Sequence, residues 1–231
     1  MNTPTHVVVN LLVVGRGTHR PYWKAILLGS LLPDLPMFIF YGVVRLGQGA
    51  SESLIWSELY FDPGWQTFFD IFNSIPLALL GFAIARWRGA GATQAFFLSV
   101  LLHTVVDLGL HHEDAHRHFL PLAEWRFRSP VSYWDPRHHG LWLASLELLM
   151  FLGGSVFLSL RGDPPAVRQV ARATLAVALA FALFAGILWR EMGDSNRDDS
   201  GRGAGGAAAP LPAGAFASRP AGNANRSDSA P

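Results

Sequence analysis

Histidines and carboxylates that begin inside an apolar segment are the part of this chain best suited to chemistry. The segment covers residues 96–110, and it carries His103, Asp107 and, just beyond its end, His111. On an α-helix, residues four apart are rotated by only ~40° about the axis, so these three side chains would share one face. An ionisable pair in a lipid-length segment is costly, and function is the usual reason for keeping it. The alternative is that His103 and Asp107 only hold helices together.

Imidazole and carboxylate groups without sulfur are a ligand set for zinc, manganese or iron. The chain of 231 residues has no cysteine, so a metal ion must be held by histidine, aspartate or glutamate. A catalytic zinc takes about three protein ligands and leaves one position for water, whose pKa it lowers towards ~7. A neighbouring carboxylate can then accept the proton as general base. We therefore expect a divalent metal cofactor, with zinc preferred over manganese or iron.

The candidate ligands come from separate segments that would converge in one half of the molecule. Asp34 and His103 each lie about ten residues into an apolar run, at roughly 15 Å depth by helical rise. The first-choice metal ligands are His6, Asp34, His103 and Asp107. The expected catalytic carboxylates are Asp107 and Asp70. The second-choice ligands, or groups that contact an anionic substrate, are His111, His112, Glu113 and Asp114.

Three of these residues also have simpler interpretations. His6 could be a polar residue at the start of a helix. Asp34, which lies between Pro33 and Pro36, could only cap the second half of a broken helix. Asp70 could be a carboxylate that stabilises the positive end of a helix dipole.

Composition indicates a membrane protein. Hydrophobic residues make up 50% of the chain and charged residues 15%, against about 25% in soluble proteins. The predicted fold is all-α: a polytopic transmembrane bundle of about five spanning helices, with a short re-entrant or packed helix at residues 4–15. The apolar runs long enough to span are residues 24–46, 68–86, 93–110, 140–160 and 169–189.

Loops and tail complete the predicted organisation. Pro33 and Pro36 should break the first spanning run, which is tolerated at membrane depth where the backbone lines a cavity or lies within protein. Residues 47–67 and 111–139 are expected to be loops. Residues 1–192 would form the membrane domain, and the Gly-, Ala-, Pro- and Ser-rich residues 193–231 a disordered tail.

Charge distribution predicts the orientation and argues against one class of partner. The loops at 16–24, 86–92 and 161–172 contain eight lysines and arginines, whereas those at 45–67 and 111–139 contain five. The first set is therefore expected on the cytoplasmic side. The formal net charge is +1 and no basic stripe is present, which makes nucleic acid an unlikely partner. The lipid bilayer is the expected partner.

Three short motifs resemble a known family. They are Thr5-His6, Gly29-Ser-Leu-Leu-Pro33-Asp34 and His103-x-x-x-Asp107, and they resemble the predicted membrane-bound, LexA-regulated type of metal-dependent hydrolases. The resemblance covers roughly residues 3–160 and implies a multi-pass protein of the bacterial inner membrane with a His/Asp metal site. The chain differs where that family has a His-Arg…His-Ser motif, because residues 70–74 read Asp-Ile-Phe-Asn-Ser. Residues 111–114 and 129–135 are then candidates for replacement ligands.

Three functions fit these observations. The first is a membrane-embedded, metal-dependent hydrolase that acts on an ester or phosphoester, either a small molecule or a lipid-derived substrate. The second is a non-catalytic protein whose polar cluster passes metal ions or protons. The third is a scaffold whose buried polar groups hold helices together.

Overall fold

The computed structural model of the protein describes residues 1–180, which form helices and loops without a strand. This agrees with the predicted all-α class. The predicted tail at 193–231, and the second half of the last apolar run, lie outside the described residues. The helices are α1 (Thr3–Val13), α2 (Trp23–Leu31), α3 (Leu35–Tyr41), α4 (Glu52–Ser57), α5 (Pro63–Phe72), α6 (Ile75–Trp87), α7 (Gly91–Leu108) and α8 (Gly140–Arg161).

Within residues 1–180, three helical stretches are long and apolar enough to cross a membrane, whereas about five were expected for the whole chain. They are Pro63–Trp87, which combines α5 and α6, Gly91–Leu108, and Gly140–Arg161. A fourth span exists if the bent pair Gly17–Leu31 and Leu35–Gly47 is counted as one. A further helical segment covers residues 165–180 at the edge of the described region.

The predicted break in the first spanning run occurs between α2 and α3. The two halves are bent by 47°, and Asp34 lies at the bend. Pro36 lacks a backbone donor, so the hydrogen-bond ladder cannot run through this point undisturbed. The break leaves Asp34 between two short helices instead of on the side of a regular one.

The segment at 47–67 is more ordered than the loop expected from its polar residues. It contains α4, a 3₁₀ turn at Leu59–Phe61 and the beginning of α5. Ser51 caps α4, and Asp62 caps α5 by accepting from the backbone N–H groups of Gly64 and Trp65. These capping side chains supply acceptors for otherwise unpaired N–H groups, which is why helices begin here.

Close helix contacts depend on small residues. Helix α2 lies against α7, and α1 lies against both α2 and α8. At Gly29 in α2, a Cβ atom would lie 2.3 Å from the carbonyl oxygen of Phe96 in α7. At Gly154 in α8, it would lie 2.4 Å from a methyl group of Val8 in α1. Small residues let helix backbones approach in this way where lipid surrounds the bundle.

Candidate metal centre

Helix α7 provides two of the candidate ligands. His103 and Asp107 lie one turn apart on its buried face, with exposed fractions of 0% and 3%. The Nε2 atom of His103 is 3.1 Å from Oδ2 of Asp107. The i, i+4 spacing read from the sequence therefore brings the two groups into contact within one helix.

His6 reaches the same point from α1. Its Nε2 atom lies 2.9 Å from Oδ1 of Asp107, and its side chain is fully buried. The rings of His6 and His103 are stacked, with centroids 3.4 Å apart and planes inclined by 4°. One carboxylate thus faces two parallel imidazoles, one toward each of its oxygens.

The hydrogen bond of His103 to the main chain determines what its second nitrogen can do. Nδ1 lies 2.8 Å from the carbonyl oxygen of Ser30, which only accepts, so Nδ1 carries the proton and donates. In the neutral ring Nε2 is then a bare lone pair, and it has no hydrogen-bond partner although it is buried. Metal-binding histidines are commonly oriented in this way, with the other ring N–H given to a carbonyl.

Two carboxylates face that lone pair. Asp107 lies at 3.1 Å and Asp34 at 3.4 Å from Nε2 of His103. A lone pair between two anionic groups is repelled by both unless a proton or a metal cation lies among them. The donor set therefore fits a cation at this position.

The distances also suit a single ion. One ligand atom from each of His6, His103 and Asp107 lies within 4.8 Å of the others, so the three could hold a metal ion. Around a tetrahedral zinc with bonds of about 2.0 Å, ligand atoms are separated by roughly 3.3 Å. The separations of 2.9 Å from His6 Nε2 to Oδ1 of Asp107 and of 3.1 Å from His103 Nε2 to Oδ2 are close to that value, although they involve different oxygens of the carboxylate.

Asp34 connects the cluster with open space. Its Oδ2 accepts a hydrogen bond from the hydroxyl of Thr3 at 2.5 Å, and its side chain is 23% exposed. It lines a cavity of about 140 Å³. The other polar residues around this cavity include Thr3, Tyr60, Asn73, His111, Asp114 and Tyr133. A small molecule in the cavity would therefore meet the most exposed of the four first-choice ligands.

The start of α1 is attached to the same cluster. The amino group of Met1 lies 2.9 Å from Oδ1 of Asp107. The backbone N–H of Asn2 donates to Oε1 of Glu147 in α8 at 2.6 Å. Together with the bond from Thr3 to Asp34, these contacts hold α1, and hence His6, against α3, α7 and α8.

Of the second-choice residues, His111 and Asp114 lie next to the cluster. His111 Nε2 is 3.8 Å from Asp107, and its Nδ1 is 2.7 Å from Asp114. Burial lowers the pKa of His111, but the hydrogen bonds and charges of the two carboxylates outweigh it and raise the value to about 9. His111 therefore links Asp107 to Asp114 in the cavity wall.

His112 and Glu113 are engaged elsewhere. His112 stacks on His138 with centroids 3.7 Å apart, and its Nδ1 donates to the carbonyl of Ser129. Glu113 is half exposed and lies near His112 and Arg128. Within residues 1–180, neither side chain contacts the metal cluster.

Asp70, expected as a catalytic carboxylate, holds the 111–139 loop. Its Oδ2 lies 2.6 Å from Nε of Arg117 and 3.1 Å from Nη2 of Arg126. Its Oδ1 receives the backbone N–H of Arg117 and lies 3.2 Å from His116. With the carboxylate fully buried and surrounded by these donors, Asp70 is not placed to accept a proton in the cluster.

Two polar groups that support the site were not among the sequence candidates. Asn10, one helical turn after His6, donates to the carbonyl of His6 and accepts from the hydroxyl of Ser99 in α7. Both side chains are fully buried. Asn10 lies on the same face of α1 as His6, four residues further on, so the sequence alone could have identified it as a candidate. Its contact with Ser99 could not be predicted in this way, because the two residues lie on different helices.

Comparison with known proteins found no relative of this chain: no family model, curated protein or solved structure matches it. The resemblance to membrane-bound metal-dependent hydrolases therefore depends on the three motifs alone. The geometric findings are an all-helical chain with candidate membrane spans and a buried His6–His103–Asp107 group that could hold a metal ion.

Proposed function

We propose that the protein is a metal-dependent hydrolase of the bacterial inner membrane that acts on an ester or phosphoester. The observation that carries this proposal is the buried Nε2 of His103, which lies between two carboxylates with no hydrogen-bond partner. A catalytic metal site requires a ligand atom free to bind the ion and space for a substrate, and the unpartnered Nε2 and the adjoining cavity fit these requirements.

Each residue has a part in the proposed site. His6, His103 and Asp107 bind the ion, and two imidazoles with one carboxylate are a ligand set of catalytic zinc. A bound divalent ion would supply a Lewis acid and a water molecule of lowered pKa. Asp34, at the cavity, accepts the proton from the attacking water. His111, which lies between Asp107 and Asp114, orients both carboxylates.

The surroundings of the cavity favour a substrate that is presented from the membrane. His103 and Asp107 belong to α7, which is long and apolar enough to span, and Phe38 and Phe69 line the cavity together with the polar groups. A lipid-derived ester would bring its polar group to Asp34 and leave its apolar part among such side chains. The inner-membrane location is inferred from the family resemblance.

A purely structural cluster is the competing function, and two contacts favour it. The amino group of Met1 and His6 both lie 2.9 Å from Oδ1 of Asp107, so this carboxylate has partners without an ion. In that case the cluster would hold helices together and bind no metal.

Elemental analysis of detergent-purified protein distinguishes these two functions. Wild type is expected to contain about one zinc, manganese or iron ion per chain, His103→Ala to contain almost none, and His112→Ala, which alters a histidine outside the cluster, to match wild type. Wild type without stoichiometric metal would exclude the hydrolase proposal. With metal present, release of product from phosphoester and carboxylester substrates should be lost in His103→Ala and kept in His112→Ala.

A further inference from the structure

A second cavity lies at the opposite end of the bundle from the Asp34 cavity, where α1 and α8 end and α2 begins. Its volume is about 280 Å³, and its lining shares no residue with the cavity at Asp34. The lining falls into two parts. The charged part contains Arg16, Arg20, Arg161 and Asp163, and the apolar part includes Leu11, Leu12, Phe157 and Leu158.

The charged part has an excess of positive charge. Arg20 forms an ion pair with Asp163. Arg16 and Arg161 also line the cavity, and no carboxylate within residues 1–180 forms an ion pair with either of them. Two guanidinium groups in one cavity repel each other, and an anion between them removes that repulsion. The planar guanidinium donors match the oxygens of a phosphate group.

The position of the cavity indicates what kind of phosphate it would meet. Arg161 is the last residue of the candidate span α8, and Phe157 and Leu158 lie within one turn of it on the membrane side. Trp23, whose ring suits a membrane–water interface, lines the same cavity. Charge at the rim and apolar side chains beyond it fit an amphiphile with an anionic head and hydrocarbon chains.

We propose that this cavity binds an anionic phospholipid, with its phosphate at Arg16 and Arg161 and the first part of its acyl chains against the apolar wall. Basic pockets between membrane helices are known to hold anionic headgroups. The site is independent of the metal centre and would bind lipid whether or not the protein is a hydrolase.

The test compares two pairs of exposed arginines at the same end of the bundle. Arg16→Gln with Arg161→Gln removes the two cations of the cavity that form no ion pair within residues 1–180. Arg86→Gln with Arg88→Gln removes two cations near the α6–α7 turn, outside this cavity. That turn lies on the same end because Gly91, at the start of α7, contacts the ring of Tyr22, just before α2. Both variants lose the same net charge.

Binding is measured by native mass spectrometry of detergent-solubilised protein, titrated with dioleoylphosphatidylglycerol or dioleoylphosphatidylcholine. Wild type and the Arg86/Arg88 variant should retain phosphatidylglycerol in preference to phosphatidylcholine. The Arg16/Arg161 variant should bind it roughly thirty-fold more weakly, since each basic residue near an anionic headgroup contributes a factor of about five. Thermal unfolding in detergent serves as the control for correct folding.

Three results would overturn the proposal. One is equal loss of phosphatidylglycerol from both arginine variants, which would indicate a general charge effect. Another is equal retention of phosphatidylcholine by wild type. The third is that glycerol phosphate binds the protein as tightly as phosphatidylglycerol does, which would identify a site for soluble anions.

Discussion

His103 shows how one side chain can require a cation. Its Nδ1 is committed to the carbonyl of Ser30, and its Nε2 lies against Asp34 and Asp107. No rotation of the ring relieves this arrangement, because turning it would bring the N–H to the carboxylates and leave the buried carbonyl without its donor. The imidazole therefore has to be protonated or bound to a metal ion.

Asp70 was expected to be catalytic because it is a carboxylate in an apolar run, but its contacts with two arginines indicate a structural role. We expect Asp70→Asn to lower the free energy of unfolding by roughly 3 kcal/mol, because it leaves Arg117 and Arg126 without their buried partner. Metal content per folded chain should not change. Denaturant titration in detergent micelles measures the first quantity and elemental analysis the second.

The matched control for Asp70 is Glu124→Gln. Glu124 is the second carboxylate on Arg117, but its side chain is 80% exposed, so its loss should change stability by less than about 1 kcal/mol. If Asp70→Asn instead kept wild-type stability and metal but abolished hydrolysis, Asp70 would be the catalytic carboxylate expected from the sequence.

At the scale of elements, the approach of α2 to α7 positions the carbonyl that orients His103. Ser30 follows Gly29, whose missing side chain allows α2 to lie directly on Phe96. The packing of α2 on α7 therefore also determines which nitrogen of His103 carries the proton, because it places the carbonyl of Ser30 at Nδ1. A displacement of α2 would move both Ser30 and the neighbouring Asp34.

We expect Gly29→Ala to destabilise the protein by about 2 kcal/mol, because its Cβ would lie 2.3 Å from a backbone oxygen that cannot move alone. The same change should weaken metal retention during dialysis against a chelator, since it shifts the Ser30 carbonyl. Thermal unfolding and elemental analysis in detergent provide the two measurements.

Gly42 provides the control on the same bent pair of helices. A Cβ there would have nothing within 4 Å, and its backbone φ of −58° is helical. Gly42→Ala should therefore be neutral or stabilise the protein by up to about 1 kcal/mol. Equal effects of the two substitutions would mean that the α2–α7 contact does not hold the site in place.

At the scale of the whole molecule, the 111–139 loop closes one end of the bundle through buried histidines and the arginine pair on Asp70. His118, fully buried in this loop, donates from Nδ1 to the carbonyl of His116. Burial lowers the pKa of His118 to about 4; His116 and His111 lower it as well, and Asp107 opposes them. The loop is therefore held by a histidine that stays neutral near pH 7.

The lowered pKa of His118 makes the free energy of unfolding depend on pH. Between about pH 6.5 and pH 4 the unfolded chain binds a proton on His118 that the folded chain does not, so the free energy of unfolding falls as the pH falls. The loss from this one group amounts to at most about 3 kcal/mol. His118→Gln, which keeps a donor but does not titrate, should show a shallower decline in a series of thermal unfolding curves from pH 7 to pH 4. Identical declines would show that His118 is not buried in its neutral form.

Local features of this protein could be predicted because they depend on residues close in the chain. The helical face that carries His103 and Asp107 follows from the helix period, and the break at Asp34 follows from the neighbouring prolines. The all-helical class follows from the long apolar runs. The count of about five spans was too high for residues 1–180, because the proline break leaves two short helices and the last run extends past the described residues.

The partners of each polar side chain were decided only by tertiary packing. Asp34 and Asp70 are both carboxylates within long apolar runs, and the sequence made both of them candidates for the same site. Asp34 became a neighbour of His103 because α1 and α2 pack on α7, whereas Asp70 was taken up by two arginines about 50 residues further along the chain. Contact between distant segments depends on which helix faces pack together, and this property belongs to the folded bundle as a whole.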